Sequence, residues 1–597
     1  VRFALASLSL SLPLALASCA PAATPAPPRS SGPAAPSAVP QPSEPAGPSA
    51  PSSTPSLAIR LRPVHEPKAL VHVELDLDSP ATHGTLWRVA RGAADHFASL
   101  AAHDSSGAIA IVAQPLGDGV ALVLERSPRG LVHVAYDVLA DDDAGDDPLG
   151  VLVRGDRFRG SGETLLALPD AALDAVTKVS LSLDRAPLEA EKAASSLGVG
   201  ADKTRTLEPR ALLYSVFAVG THGDAVLDAP EGHDEVAWMG FPAFDARGAA
   251  VELAEERSAL ANILGAHDVL PDVPWTVLLD ASGSRPDGDF SVTPRYDGML
   301  VQLGPSQRWG APLRMALAQL LARRWIGESL RLAPSGHPPE LGWFDDGVAR
   351  YLALRVLARL EVLSSSEWAG AIAQEIAVLA TSPYATLGNA AVAARAAEDP
   401  LARTTLMIRG ALFAARESAI LRHRTRGARD LENVLVALLA RARDNELHRP
   451  APLAPSAWHE ALSSDDPDEP AAFDAMIAHG ASITLPADAL GPCFRAGTGS
   501  YVAFDAGFDV EATRRARGRK LTGLRVGSPA DKAGLRDGDV VDAIEENDGD
   551  AQVPIKVSFT RGGEHRVVTY LPRGPVGRGQ TWSRVAGVPE DKCGLPP

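Results

Sequence analysis

The chain is poor in the residues that build metal and disulfide chemistry. Three cysteines, Cys19, Cys493 and Cys593, in 597 residues exclude a cysteine-rich zinc scaffold or a small disulfide-dense fold. No two of the fifteen histidines lie closer than seven residues, so the His-x-x-x-His pattern that points two imidazoles at one zinc ion is absent. The two His-Glu dipeptides lead nowhere: His65-Glu66 runs into Pro67, and His459-Glu460 is followed by Ala461, Leu462 and Ser463, so both read as surface residues. Lys and Arg together number 57 against 74 Asp and Glu, a net charge of −17, and no long basic run occurs. A nucleic-acid partner, which needs a basic patch facing phosphate, is excluded on that balance. Nucleophile elbows, phosphate loops and dinucleotide fingerprints are missing too.

What is present begins with an export signal over residues 1–19: Arg2, then an apolar run from Phe3 to Ala17 that is too short to span a bilayer. The run ends in Leu16-Ala17-Ser18-Cys19, which resembles the bacterial lipobox. The resemblance implies lipidation of Cys19, a membrane partner held through acyl chains, and a cell-envelope location, with Ala20 unlike the Asp-type inner-membrane retention signal. Residues 20–56 are almost all Pro, Ala, Ser, Gly and Thr, a composition that buries no core and makes an extended tether of roughly 100 Å reach.

Multidomain α+β organisation is expected beyond the tether. Short alternating runs between 57 and 226, including Leu57–Leu61, Leu70–Leu77, Ala108–Val112, Gly119–Leu124, Leu131–Leu139, Thr164–Leu168 and Val179–Leu183, predict a β-sandwich-like domain. Residues 227–484 read as a mostly helical domain, with a helix over Val251–Ala266, strands at Trp275–Leu279 and Gly298–Leu303, and amphipathic helices at Leu401–Leu421 and Leu431–Arg443. Residues 485–597 form a third domain. Cys493 and Cys593 flank it, and in an oxidising compartment they are able to pair.

Its centre is the stretch from Gln319 to Gly347. Leu313, Leu317, Leu320, Leu321 and Trp325 recur at helical spacing, and a second helix opens at Trp343-Phe344-Asp345-Asp346-Gly347. The pair resembles the core of the glycyl aminopeptidase family, PDZ-bearing metallopeptidases of the gluzincin group with a thermolysin-like domain, in which these helices carry His-Glu-x-x-His-x-Trp and Trp-Phe-x-Glu-Gly. On that resemblance the metal-binding positions fall on Gln319, Arg323 and Asp346 and the general base on Leu320. An amide is a poor zinc ligand, a guanidinium repels the cation, and an aliphatic chain accepts no proton, so the expected cofactor set is none and catalytic residues are none. Asp289-Phe-Ser-Val-Thr-Pro-Arg-Tyr-Asp297 stands where relatives have Gly-Gly-Leu-Glu-His, and Leu406-Met-Ile-Arg-Gly410 where they have Tyr-Tyr-x-Lys-Gly. Helix geometry puts Arg323 and Asp346 opposite one another, so a guanidinium–carboxylate pair is expected in place of zinc; a separation beyond about 6 Å would defeat the idea.

Val526-Gly-Ser-Pro-Ala-Asp-Lys-Ala-Gly-Leu-Arg-Asp-Gly-Asp-Val-Val541 resembles the bacterial PDZ signature. Ala506, Gly507 and Phe508 then stand where a loop would offer backbone N–H groups to a peptide's terminal carboxylate, making a peptide or protein ligand the implied partner. After Ile544 the chain turns into an apolar run at Val553–Phe559 instead of the long helix that walls such a groove, which leaves the region either a peptide receptor or a packing module. Two functional readings follow: an envelope-tethered, non-catalytic binding or scaffolding relative of these peptidases, or a hydrolase rebuilt around His337, Glu340, Asp345 and Asp346.

Overall fold

A computed structural model describes residues 55–78, 85–141, 147–229, 232–265, 275–282, 285, 287–333, 338–443, 451–516, 518–545, 550–589 and 592–593. The signal segment, the tether up to residue 54, Cys19 and His337 lie outside them, and the first strand takes in Ser56 from the end of the expected tether. The chain divides into two units between Gly220 and Thr221.

Alternation builds the first unit. In Ser56–Val64 and Leu70–Asp78 every second side chain is apolar, and Leu57, Ile59, Leu61, Val71, Val73 and Leu75 are no more than 1% exposed. Their polar neighbours Arg60, His72, Glu74 and Asp76 occupy the opposite face. These strands sit inside a seven-stranded sheet whose order is Asp202–Leu207, Thr177–Leu183, Ser56–Val64, Leu70–Asp78, Val132–Leu139, Phe97–Asp104, Gly107–Ile109. A four-stranded and a five-stranded sheet complete a β-rich unit of three sheets.

The sequence expectations need three corrections here. The run Thr164–Leu168 is not a strand: Ser161 Oγ accepts the Glu163 N–H at 3.1 Å and starts a short helix, Gly162–Leu165, so a side-chain cap overrides the apolar pattern. Ala108–Val112 is two strands, Gly107–Ile109 and Ile111–Leu116, in different sheets. The boundary falls at 220/221 and not at 226, because Gly223–Ala229 hydrogen-bonds along its length to Gly232–Gly240 of the second unit.

The second unit opens with a five-stranded mixed sheet in the order Gly223–Ala229, Gly232–Gly240, Trp275–Ala281, Gly298–Leu303, Phe290–Arg295. Its three middle strands are parallel, and the two that are buried along their length, Trp275–Ala281 and Gly298–Leu303, read as largely apolar runs. Helix Ala246–Ile263 starts earlier than hydrophobic spacing suggests because Asp245 caps it, accepting the Arg247 N–H at 3.1 Å. Helices Ala311–Arg323, Ala349–Arg359, Ser365–Thr381, Pro400–Arg424 and Leu431–Arg443 make the helical domain.

Residues 485–597 belong to the same unit as that domain. Phe494–Phe504 and Arg573–Arg584 pair as a long antiparallel ribbon lying on helix Ser365–Thr381. The approach is close: a Cβ on Gly577 would come within 2.0 Å of the Ala380 carbonyl oxygen. Beyond the ribbon, Val540–Glu545, Ile555–Arg561 and Glu564–Tyr570 form a three-stranded sheet over a small core of Phe508, Leu521, Ala530, Leu535, Val541, Ile555, Val557 and Phe559. Among the described residues no helix separates the first two of these strands. Cys493 and Cys593 are joined by a disulfide at the base of the ribbon.

Candidate functional site

Helix Ala311–Arg323 and the π-helical turn Trp343–Val348 that leads into Ala349–Arg359 hold the central residues. Gln319 and Arg323 are one turn apart on the same helix face and, with Leu320, are buried at 2%, 7% and 8% exposure. The facing turn is locked from behind by aromatic packing, Trp343 meeting Phe473 and Trp458 edge-on with ring centroids 5.0 and 5.3 Å apart. Two glycines let this turn cross helix Pro400–Arg424. A Cβ on Gly410 would sit 1.8 Å from the Trp343 carbonyl oxygen, and one on Gly347 would sit 2.7 Å from the Gly410 Cα.

Across the gap Arg323 Nη1 reaches Asp346 Oδ1 at 3.1 Å. Burial pulls the Arg323 pKa down, but the carboxylates of Asp346, Glu328 and Asp345 outweigh it and hold the guanidinium above its ordinary value. Gln319 is tied on both ends. Its Nε2 donates to the Met407 sulfur at 3.2 Å and weakly to the Asp346 carbonyl at 3.5 Å, and its Oε1 accepts from Arg350 Nη1 at 3.1 Å. Arg350 in turn donates through Nε to Glu375 Oε1 at 2.6 Å, and Glu375 is buried on helix Ser365–Thr381. The centre is thus a chain of partnered groups running Glu375, Arg350, Gln319 and, beside it, Arg323 with Asp346.

This donor set does not fit a zinc ion. It offers one carboxylate already paired to a cation, an amide used at both ends, and an aliphatic side chain. Among the described residues no group of three or more His, Cys, Asp or Glu is arranged to hold a metal ion. The other loop acids add nothing at this point: Glu340 is exposed and Asp345 buried, and His337 is not among the described residues. His459 donates through Nδ1 to Glu469 Oε2 at 2.7 Å and packs on Phe473, while Glu460 pairs outward with Arg441 at 3.1 Å.

The two substituted motifs are structural where they fall. Phe290–Arg295 is an edge strand of the five-stranded sheet. Arg409 is 1% exposed and donates to Asn389 Oδ1 at 2.6 Å and to the carbonyls of Tyr384 and Ala385 at 3.2 and 3.1 Å. Burial among neutral acceptors pulls its pKa down to about 10.

In the C-terminal region Ala506 and Phe508 point inward, at 7% and 4% exposure. Gly507 takes φ +88°, packed against Ser528 and Ala530, and its N–H donates to Asp505 Oδ1 at 2.7 Å. Asp505 is itself paired with Arg525, and the Ala506 carbonyl accepts from Tyr570 at 2.6 Å. The loop therefore has an internal carboxylate on the donor that a ligand carboxylate would use. Sequence spacing gave no hint of Arg350, Glu375 or Asp505 in these roles, since each acts on a partner set by tertiary packing.

No family model matches the chain, and no curated protein matches it. Among solved structures, it is similar to an aminopeptidase N family protein from Idiomarina loihiensis, at 15% identity and a TM-score of 0.64 over 90% of this chain and 99% of that one. A zinc metallopeptidase of the M1 family from Deinococcus radiodurans aligns with a TM-score of 0.42 and 18% identity over 72% of this chain and 94% of that one. The chain has the multidomain α+β fold of the first of these, with a β-rich N-terminal region and a helical domain.

Proposed function

We propose that this chain is a peptidase-fold protein that does not cleave peptides through a metal, and that it serves as a non-catalytic binding or scaffolding protein of the bacterial cell envelope, tethered by a lipid on Cys19. One observation carries the reading: Arg323 and Asp346 meet at 3.1 Å between the two central helices. A permanent cation with its own counter-ion fills the place where the glycyl aminopeptidase resemblance would put a divalent ion and its third ligand. Leu320 beside it supplies no base. The C-terminal domain, PDZ-like in its Val526–Val541 signature, is the surface offered to a partner protein, and a peptide bound there through its terminal carboxylate has to displace Asp505 from the Gly507 N–H.

The test is cleavage of a peptide library by the purified full chain, with and without chelator, beside an Asp346→Ala variant. The expected result is no chelator-sensitive cleavage in either protein. Chelator-sensitive cleavage by the unaltered chain that disappears in Asp346→Ala would overturn the reading.

A further inference from the structure

We propose that the polar face of the seven-stranded sheet in the first unit carries a site for a divalent transition-metal ion, built on His103 and His133. The two residues stand directly opposite each other on antiparallel neighbours, Phe97–Asp104 and Val132–Leu139. Their rings lie 4.7 Å apart between centroids with a 37° tilt. Opposed side chains on adjacent strands have Cβ atoms about 5 Å apart, so both rings reach into the same volume above the sheet. Two nitrogens held about 2.1 Å from one ion lie about 3 Å apart, which rings at this separation meet by small rotations.

The second shell is present. Asp76, on the next strand and in register with His133, places Oδ1 2.6 Å from His133 Nδ1. A carboxylate only accepts, so the proton sits on Nδ1 and the lone pair of the neutral ring on Nε2, the nitrogen left to face an ion. Asp76 also accepts from Arg60 at 3.1 Å, which fixes its own position. Glu74, Asp76 and Asp137 share this face with Arg60 and with Arg62, which is exposed two residues along the same strand and pairs with Asp184, so acids outnumber cations around the two rings. His103 is exposed and His133 keeps a quarter of its side-chain surface, giving an ion access while water completes its shell. Two imidazoles without thiolate suit Cu2+, Ni2+ or Zn2+, with Cu2+ bound most tightly of the three.

The same face supplies a control. His72 has a comparable carboxylate partner, Asp137 at 2.8 Å, but it is four residues along its strand from Asp76, about 13 Å away, and its other nitrogen is 3.4 Å from Glu74. The experiment is calorimetric titration of the full chain with Ni2+ and with Cu2+ at neutral pH, together with the spectrum of bound Cu2+. One ion per chain with nitrogen ligation is expected. Affinity should fall about tenfold in Asp76→Asn, by more than that in His103→Ala and His133→Ala, and stay unchanged in His72→Ala. Circular dichroism of each variant checks that the sheet persists, and His103→Gln, which keeps a polar side chain of similar size, must lose affinity as His103→Ala does. No binding by the unaltered chain, or equal affinity in His103→Ala and the parent, would overturn the proposal. A metal retained between the helices would instead survive His103→Ala and be lost in Asp346→Ala, so failure of this site and failure of the functional reading give different results.

Discussion

Two buried acids, one from each unit, are treated in opposite ways. In the β-rich unit Asp104, with no exposed side-chain surface, receives a forked pair from Arg126 at 2.6 and 2.8 Å and the N–H groups of Ser106 and Arg129 at 2.8 and 2.7 Å. The Arg126 hydrogen bonds, reinforced by those backbone donors against the cost of burial, hold its carboxyl well below the usual range. In the helical unit Glu417 is fully buried, and desolvation, opposed by Arg416 and reinforced by Asp466 and Glu469, pushes it up to about 8. Glu256 is raised as well, again chiefly by burial and secondarily by Glu252. A carboxylate with a full set of donors stabilises its unit as an ion. One packed into a helix bundle without them stabilises it only as an acid.

The largest break between the units comes from the disulfide, which lies in the second unit alone. Closing a loop of about 100 residues is worth about 4 to 5 kcal/mol by chain entropy. Cys493→Ser, or reduction of the native protein, should lower the stability of the second unit by that amount, and its melting transition with it, and leave the first unit's transition in place. Scanning calorimetry with and without reductant reads both, and a parallel loss in the two transitions would show that they do not unfold separately.

A smaller effect sharpens the contrast in acid. For Glu417 the folded value, about 8, lies above the ordinary 4.5, so below 4.5 both states hold the proton and its contribution is fully present. Between 4.5 and about 8 the unfolded chain releases that proton and the folded chain keeps it, so stability falls as pH rises and levels off above about 8. Asp104 has the reverse sign: its contribution is present above the ordinary carboxylate range and is lost as pH falls. Glu417→Gln should flatten the decline of the helical unit between pH 5 and 8 and raise its stability at pH 8 by roughly 4 kcal/mol. Urea unfolding at several pH values measures it, and an unchanged slope in the variant would remove Glu417 as its cause.

Sequence reading reached the helical centre and missed the sheet face for a physical reason. Gln319, Leu320 and Arg323 fall on one face by helix periodicity alone, and Gly298–Leu303 and Leu431–Arg443 coincide with apolar runs of the right period. Gly347 and Gly410 close two motifs whose polar members are replaced, and both glycines are required by backbone contact whatever chemistry surrounds them. Spacing along the chain measures neighbours within a helix. It is blind to pairs made across strands, which is why fifteen well-separated histidines concealed His103 opposite His133, thirty positions apart. Arg350 and Glu375 escaped likewise, their contact being made between helices.

The smallest expected effect tests what the Arg323–Asp346 pair is for. Removing the cation alone, in Arg323→Met, takes the guanidinium away from Asp346 and from the nearby carboxylates of Glu328 and Asp345. The cost should be about 2 to 3 kcal/mol, below the range for a fully buried pair because the Asp346 side chain keeps 28% of its surface. Replacing both partners, in Arg323→Met with Asp346→Leu, removes the remaining charge along with the attraction, and well-packed apolar substitutes for an ion pair are often neutral. The double variant should therefore recover to within about 1 kcal/mol of the parent in urea unfolding. That recovery would place the pair among elements that fix how the two helices meet at little net gain in stability. A double variant as unstable as Arg323→Met would mean that Asp346 holds the turn through contacts of its own, and the pair would then be incidental to a carboxylate whose main bonds run within Trp343–Val348.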